Sequence, residues 1–403
     1  MKFDIFCEIQ RAFPWNGADE ASLFAEVLAQ AKACDKAGFE IWWQVEHHGA
    51  PQFSYSAAPD MVLTALAMAT ERLRVGHAGF LAPFRINHPL KIAERGATLD
   101  ILSGGRFELG LAKSGGKEWE TFGVNPASAR EEVREAMHMI PRMWTEAEFS
   151  WKSDHIEIPV RELTPKPLQK PHPRLWQTCG SPESFRMAGE MGVGALGTTL
   201  LSPLAFLGSM LEEHRAGLAS LSDQAGLEVN RQSGVFTFVH VAESRQQAIA
   251  NGAAWSALWY VNAAPVVFKV PRAVWYDMIK SGLHPNSAQA TAVLTDRDPT
   301  RIEIDSDDPP VLVLLKRMAR GETIAFEEAH AVLEPLDCVV IGDPDHCRAK
   351  VKGYEAIRAD RLMCLMQFGA IPHDAVIRSI ELAGEHLIGG EALAAPARAL
   401  AGV

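Results

Sequence analysis

The stretch IWWQVEHHG, residues 41–49, decides how the rest of this chain is read. Five residues suited to a buried strand run into Glu46, His47 and His48, and Gly49 ends the run. In sheets of parallel strands, ligands collect at the carboxyl ends. A Glu-His-His cluster there is either chemistry aimed into a cavity or a hydrogen-bonded cluster opening a loop, and these residues alone fit both.

Working outward, the neighbours alternate between strand and helix. Residues 2–9 read as a strand, 19–37 as a helix with apolar side chains at Leu23, Val27, Leu28, Ala31 and Cys34, and Gly38 closes it. Pro59 and Asp60 start a helix through MVLTALAMAT, because proline fits the first turn and a carboxylate favours the positive end of the dipole. Residues 73–81 form a third strand, 88–102 a helix, 106–112 a fourth strand and 127–144 a helix. The proline-rich, partly β-patterned segment 150–173 reads as an insertion. Strands at 174–179, 194–198, 234–241 and 361–368 alternate with helices at 182–191, 203–219, 243–262, 344–359 and 373–387. Only residues 263–335 break the rhythm, as a second insertion around the seventh helix. Eight strand–helix pairs predict a parallel (β/α)8 barrel as one domain, with a doubly wound open sheet as the alternative.

Bulk properties narrow the partners. A net charge of −11 over 403 residues argues against nucleic acid or an anionic membrane as the main partner, since both call for a basic face. Six cysteines without paired spacing suit reduced thiols rather than a disulfide framework or a zinc site. Asp4 and Glu8 interrupt the N-terminal apolar run, and no apolar run approaches the ~18 residues of a membrane span, so a soluble cytoplasmic protein is expected.

Two loops look built for an anion. Lys113-Ser114-Gly115-Gly116 follows the fourth strand, and glycines there allow close backbone approach beside a cation. After the fifth strand, Ser181 suits an N-cap with Pro182 at the first helical position, leaving N–H groups free for a phosphate. Each loop alone is also explained as ordinary structure. A phosphate here departs from the common barrel placement after strands seven and eight. His47, His48, His77 and His88 fit no short metal-ligand spacing, and His88 before Pro89 is explained as a cap, so no metal is expected.

FDIFCE, AGFEIWWQVEHHG, RLRVGHAGFLAPFRINHP, LDILSGGRFELGLAKSGG, ETFGVNPASAR and IGDPDHCRAKVKGY together resemble the luciferase-like flavin-dependent monooxygenases, as does ALWYVNAAPVVF. The resemblance covers residues 1–200 best and 340–370 acceptably. It implies a barrel that binds reduced FMN (FMNH2), adds O2 to give a flavin peroxide, and oxidises a small or medium apolar organic substrate, such as an aldehyde or ketone. Carried over by position, His47 is the catalytic histidine and Glu46 the carboxylate beside the flavin, while His48 serves either as support or as substrate contact. Lys113 and Arg130 fall on phosphate-binding positions, Gly180, Ser181 and Ser184 on the phosphate loop, and Ala78 and Gly79 on a non-proline cis peptide against the flavin ring.

The resemblance also implies a separate flavin reductase, a homodimer formed through helices near the second and third strands, and a mobile lid within residues 263–335. Ala112 stands where bacterial luciferase has a reactive cysteine, and Lys113 replaces an arginine, a point charge in place of a fork. Two alternatives share the barrel: a deazaflavin-dependent dehydrogenase and a catalytically silent flavin-binding protein. A metal-dependent hydrolase is the distant remaining reading.

Overall fold

The computed structural model describes residues 1–12, 20–51, 53–281 and 302–389. Twelve strands are described: β1 (Lys2–Cys7), β2 (Ile41–Gln44), β3 (Arg74–His77), β4 (Phe80–Leu81), β5 (Phe107–Ala112), β6 (Phe149–Lys152), β7 (Glu157–Arg161), β8 (Leu175–Thr178), β9 (Gly194–Thr198), β10 (Ser233–Val241), β11 (Val340–Gly342) and β12 (Arg361–Leu365). Eight of them close a parallel barrel in the order β1-β2-β3-β5-β8-β9-β10-β12, with β12 returning to β1. Helices cover its outside, as the alternating pattern predicts. The open-sheet alternative fails because β10 pairs with both β9 and β12 and leaves no edge there.

Charge at the amino-terminal end of the strands helps to close the ring. Arg361 on β12 makes two bonds to Asp4 on β1, at 2.6 and 2.7 Å, with both side chains fully buried. Trp43 Nε1 donates to the same carboxylate at 2.9 Å, so the first, second and last barrel strands share one anion. Across the barrel, buried Glu108 accepts from Arg74 at 2.6 Å and Trp176 at 2.8 Å and is also paired with Arg174.

Several elements differ from the expected boundaries. The third strand is not continuous over 73–81, because the Ala78-Gly79 peptide is cis and divides it into β3 and β4. Gly252, at φ +69°, splits the expected helix 243–262 into Arg245–Ala250 and Ala253–Phe268, and the second piece runs through Pro265. Segment 150–173 contributes most of the antiparallel β6–β7 hairpin. Of residues 263–335, residues 282–301 lie outside the described residues; the flanks form helices Arg272–Lys280, Pro310–Ala319 and Phe326–Leu333. A short helix, Gly116–Phe122, follows the glycine loop after β5 and was not anticipated.

Candidate active site

The carboxyl ends of the barrel strands open into a cavity of about 410 Å³. Glu46, His47, Ala78, Gly79, Lys113, Arg130, Gly180, Ser181 and Ser184, far apart in sequence, all line it. Glu8, Gln177, Thr198, Phe236, Tyr260 and Phe268 line it as well, and sequence reading assigned none of them to a site. His48 does not line it. Its Nε2 lies 3.2 Å from Glu46 Oε1, and its ring packs against Phe122 at 5.2 Å between centroids.

His47 is held from both sides. Nδ1 lies 3.0 Å from Glu118 Oε1, and Nε2 lies 3.6 Å from Glu8 Oε2. Burial is the largest single influence on the imidazole and opposes its protonation. The charge of Glu8, the hydrogen bond and charge of Glu118 and the charge of Glu46 outweigh it, lifting the pKa to about 9. His47 therefore carries a proton at neutral pH, where an unperturbed imidazole is mostly neutral.

Glu118 is the group that the sequence concealed. It sits on helix Gly116–Phe122 and also accepts the His48 N–H at 2.9 Å and the Ser114 hydroxyl. Burial works against its carboxylate, yet the bonds from His47, Ser114 and the His48 N–H hold it below the ordinary range. Gly116 makes the placement possible: its φ is +54°, and a Cβ there would lie 2.6 Å from the Phe268 carbonyl oxygen. Phe268 then packs edge-on to His47, at 6.2 Å between centroids.

Glu46 is fixed by a polar chain that runs away from the cavity. Its oxygens accept the Leu81 N–H at 2.8 Å and Asn87 Nδ2 at 3.0 and 3.1 Å. Arg95 donates to Asn87 Oδ1 at 2.7 Å and to Asp60 at 2.8 Å, and Asp60 in turn faces His77 at 2.9 Å. His88, read as a cap, accepts the Leu90 N–H at 3.2 Å.

Two cations mark the cavity's rim. Lys113 and Arg130 are exposed, and neither has a carboxylate partner among the described residues. Partial burial and then the Arg130 charge hold the Lys113 amine below its usual pKa, and its Nζ lies 5.0 Å from the centre of the Trp119 ring. At the Ser181 loop the expected free N–H groups are in use. Gly180 and Ser181 donate to the Ser184 hydroxyl at 3.1 and 3.0 Å, and Ser184 donates back to Ser181 at 3.3 Å, forming a capping box. Ser184 Oγ also donates to Ser181 O at 2.7 Å and Ser181 Oγ to Ser184 Oγ at 3.3 Å, so the hydroxyls are engaged within the loop as well and the helix end is what it offers.

A closed parallel barrel with a cavity at its carboxyl end is an architecture suited to small-molecule ligands, and comparison narrows it. The family described as luciferase-like monooxygenases matches residues 1–361, and the chain belongs to it. It is similar to the oxygenase component of a flavin-dependent trigonelline monooxygenase from Acinetobacter baylyi, 29% identical over 203 residues, 50% of this chain and 55% of that protein. The chain spans about half the length of the curated relatives it matches. Among solved structures, the FMN complex of the oxygenating constituent of 3,6-diketocamphane monooxygenase from Pseudomonas putida superposes with a TM-score of 0.69, at 16% identity over 96% of this chain and 97% of that one. The coenzyme F420-dependent tetrahydromethanopterin reductase of Methanopyrus kandleri reaches 0.65, at 18% identity over 96% and 98%. These two likenesses establish the fold alone.

Proposed function

We propose that this chain is an FMNH2-dependent monooxygenase that oxidises a small or medium organic substrate with a largely apolar body, an aldehyde or ketone being the form its family resemblance suggests. The observation that carries the reading is one cavity lined by Lys113 and Arg130, neither in an ion pair among the described residues, and by His47, whose pKa its carboxylate neighbours lift to about 9. The residues present suit a flavin. Gln177 Oε1 and Thr198 Oγ1 are buried, line the cavity and have no partner among the described residues, as expected of groups that meet a polar ring system. Lys113 and Arg130 suit a phosphate, with the helix end at Ser181 beside it.

Reduced flavin, when bound, supplies the O2-activating chemistry. The chain's residues do the remainder. Lys113 and Arg130 hold the anionic tail, and the Ala78-Gly79 peptide and Glu46 form the wall along the ring. Phe268 and Tyr260 keep water from the inner end. His47, oriented by Glu118 through Nδ1, holds a transferable proton at Nε2 and acts as the general acid. His48 supports Glu46 from outside. The reading includes a separate reductase supplying FMNH2, in keeping with a relative named as an oxygenase component. It also includes a cytoplasmic location and a homodimer formed through helix Pro59–Ala69, where Met61 and Met68 stand exposed. Among the described residues no helix is long and apolar enough to cross a membrane.

Hydride transfer with a deazaflavin is the competing reading, in keeping with a relative named as an F420-dependent glucose-6-phosphate dehydrogenase. Supplying FMNH2, O2 and a panel of aldehydes, ketones and aromatic compounds tests the proposal, which expects a product carrying one oxygen atom from O2. Flavin oxidation that yields only hydrogen peroxide with every compound would reject it.

A further inference from the structure

Glu8 lines the cavity just past β1, the strand that opens the chain, and is 2% exposed. Tyr260 donates to its Oε1 at 3.1 Å. Its other oxygen, Oε2, is buried without a hydrogen-bond partner among the described residues, and His47 Nε2 stands 3.6 Å away. His47 brings that oxygen a charge but no hydrogen bond, and a buried carboxylate oxygen in that state still calls for a donor. The charge around it is unbalanced: Glu8, Glu46 and Glu118 all act on the one imidazole of His47. Burial pushes the Glu8 carboxyl up against the opposing pull of His47 and Tyr260, as expected where compensation is incomplete.

Aromatic rings line the same cavity as Glu8. Phe6 and Phe236 stack at 4.2 Å between centroids, Tyr260 lies 6.5 Å from Phe236, and Phe268 closes the same cavity. Inorganic cations hold their hydration too firmly to enter such a lining. An organic cation brings an apolar body and gains from the ring quadrupoles. We propose that the cavity recognises a small organic cation, with the positive nitrogen of the substrate held by the Glu8 carboxylate among the cavity's aromatic residues Phe6, Phe236, Tyr260 and Phe268. This rests on the reading above that the same cavity is the substrate and flavin site, and it replaces a neutral substrate with a charged one of the same bulk.

Calorimetric titration of the full chain with 1-methylpyridinium and with toluene, its uncharged isostere, tests the proposal without any variant. The cation binds at least about tenfold more tightly than toluene. In Glu8→Gln, which keeps the shape and removes the charge, that preference disappears. Equal binding of the two probes by the wild-type chain, or a preference that survives Glu8→Gln in a chain shown to be folded by thermal unfolding, overturns it. A separate FMN titration keeps the two readings apart. Absent FMN binding with an intact cation preference rejects the flavin reading alone, and bound FMN with no cation preference rejects this one alone.

Discussion

The carboxylates around His47 favour its charged form, which suits the proton-donor role proposed for it. Its pKa of about 9 against an ordinary value of 6.5 has a consequence for stability. Between those pH values the folded chain holds a proton that the unfolded chain has released, so the contribution is complete below pH 6.5 and is lost as pH rises through 9. Denaturant unfolding followed from pH 6 to 10 should show stability falling by on the order of 3 kcal/mol across this window, with His47→Ala lacking that fall. A variant that keeps the wild-type slope would remove His47 as its source. Glu118→Gln should bring the His47 titration, read by NMR, down by roughly one pH unit or more, because it removes the charge bonded to Nδ1; an unmoved midpoint would deny Glu118 its part. Neither Glu118 nor Glu8 was legible in the sequence. Glu8 reads only as part of the first strand and as a break in the N-terminal apolar run, and Glu118 lies past a glycine loop with no pattern to mark it. By contrast, the strand-then-charge pattern at residues 41–49 marked Glu46 and His47 directly, because the end of an apolar run is visible without any tertiary information.

The element that converts the barrel rim into a site is helix Gly116–Phe122. It carries Glu118 to His47, places Trp119 beneath the Lys113 amine, and has Trp119 Nε1 donating to the Lys113 carbonyl at 3.0 Å. Its seat against helix Ala253–Phe268 depends on a residue without a side chain. Gly116→Val should lower stability by about 1–3 kcal/mol and shift the His47 titration downward, since both the positive φ and the contact with the Phe268 backbone are violated. Unchanged unfolding and an unchanged His47 titration would show that the seat is looser than described. Sequence reading took residues 113–116 for a loop and missed the helix because seven residues are too few for apolar periodicity to register. It merged the two helices around Gly252 for the opposite reason: the apolar pattern continues across the break while the backbone does not. The split of the third strand at Ala78-Gly79 likewise has no periodicity signal, and only resemblance pointed to it.

At the scale of the molecule, the two ends of the barrel divide their tasks. Charges at the amino-terminal end are paired and buried, and those at the carboxyl end line a cavity. Arg361→Met should cost roughly 3–5 kcal/mol in denaturant unfolding, because Asp4 would stay buried between the first and last barrel strands without its cation. A loss well under 1 kcal/mol would mean that closure rests on the apolar layers alone. The barrel itself was legible because alternation of strand and helix is a local property repeated along the chain. The pairing that closes it, Asp4 with Arg361, joins residues at opposite ends and leaves no trace in either neighbourhood. What separates this reading from its competitor is the identity of the cofactor, and both candidates fit the same fold. Anaerobic equilibrium titration of the full chain with FMNH2, reduced F420 and reduced riboflavin addresses that choice most directly. The account predicts FMNH2 bound at least about tenfold more tightly than either competitor, with Lys113→Ala or Arg130→Ala erasing its advantage over riboflavin. Tighter binding of F420 would contradict it.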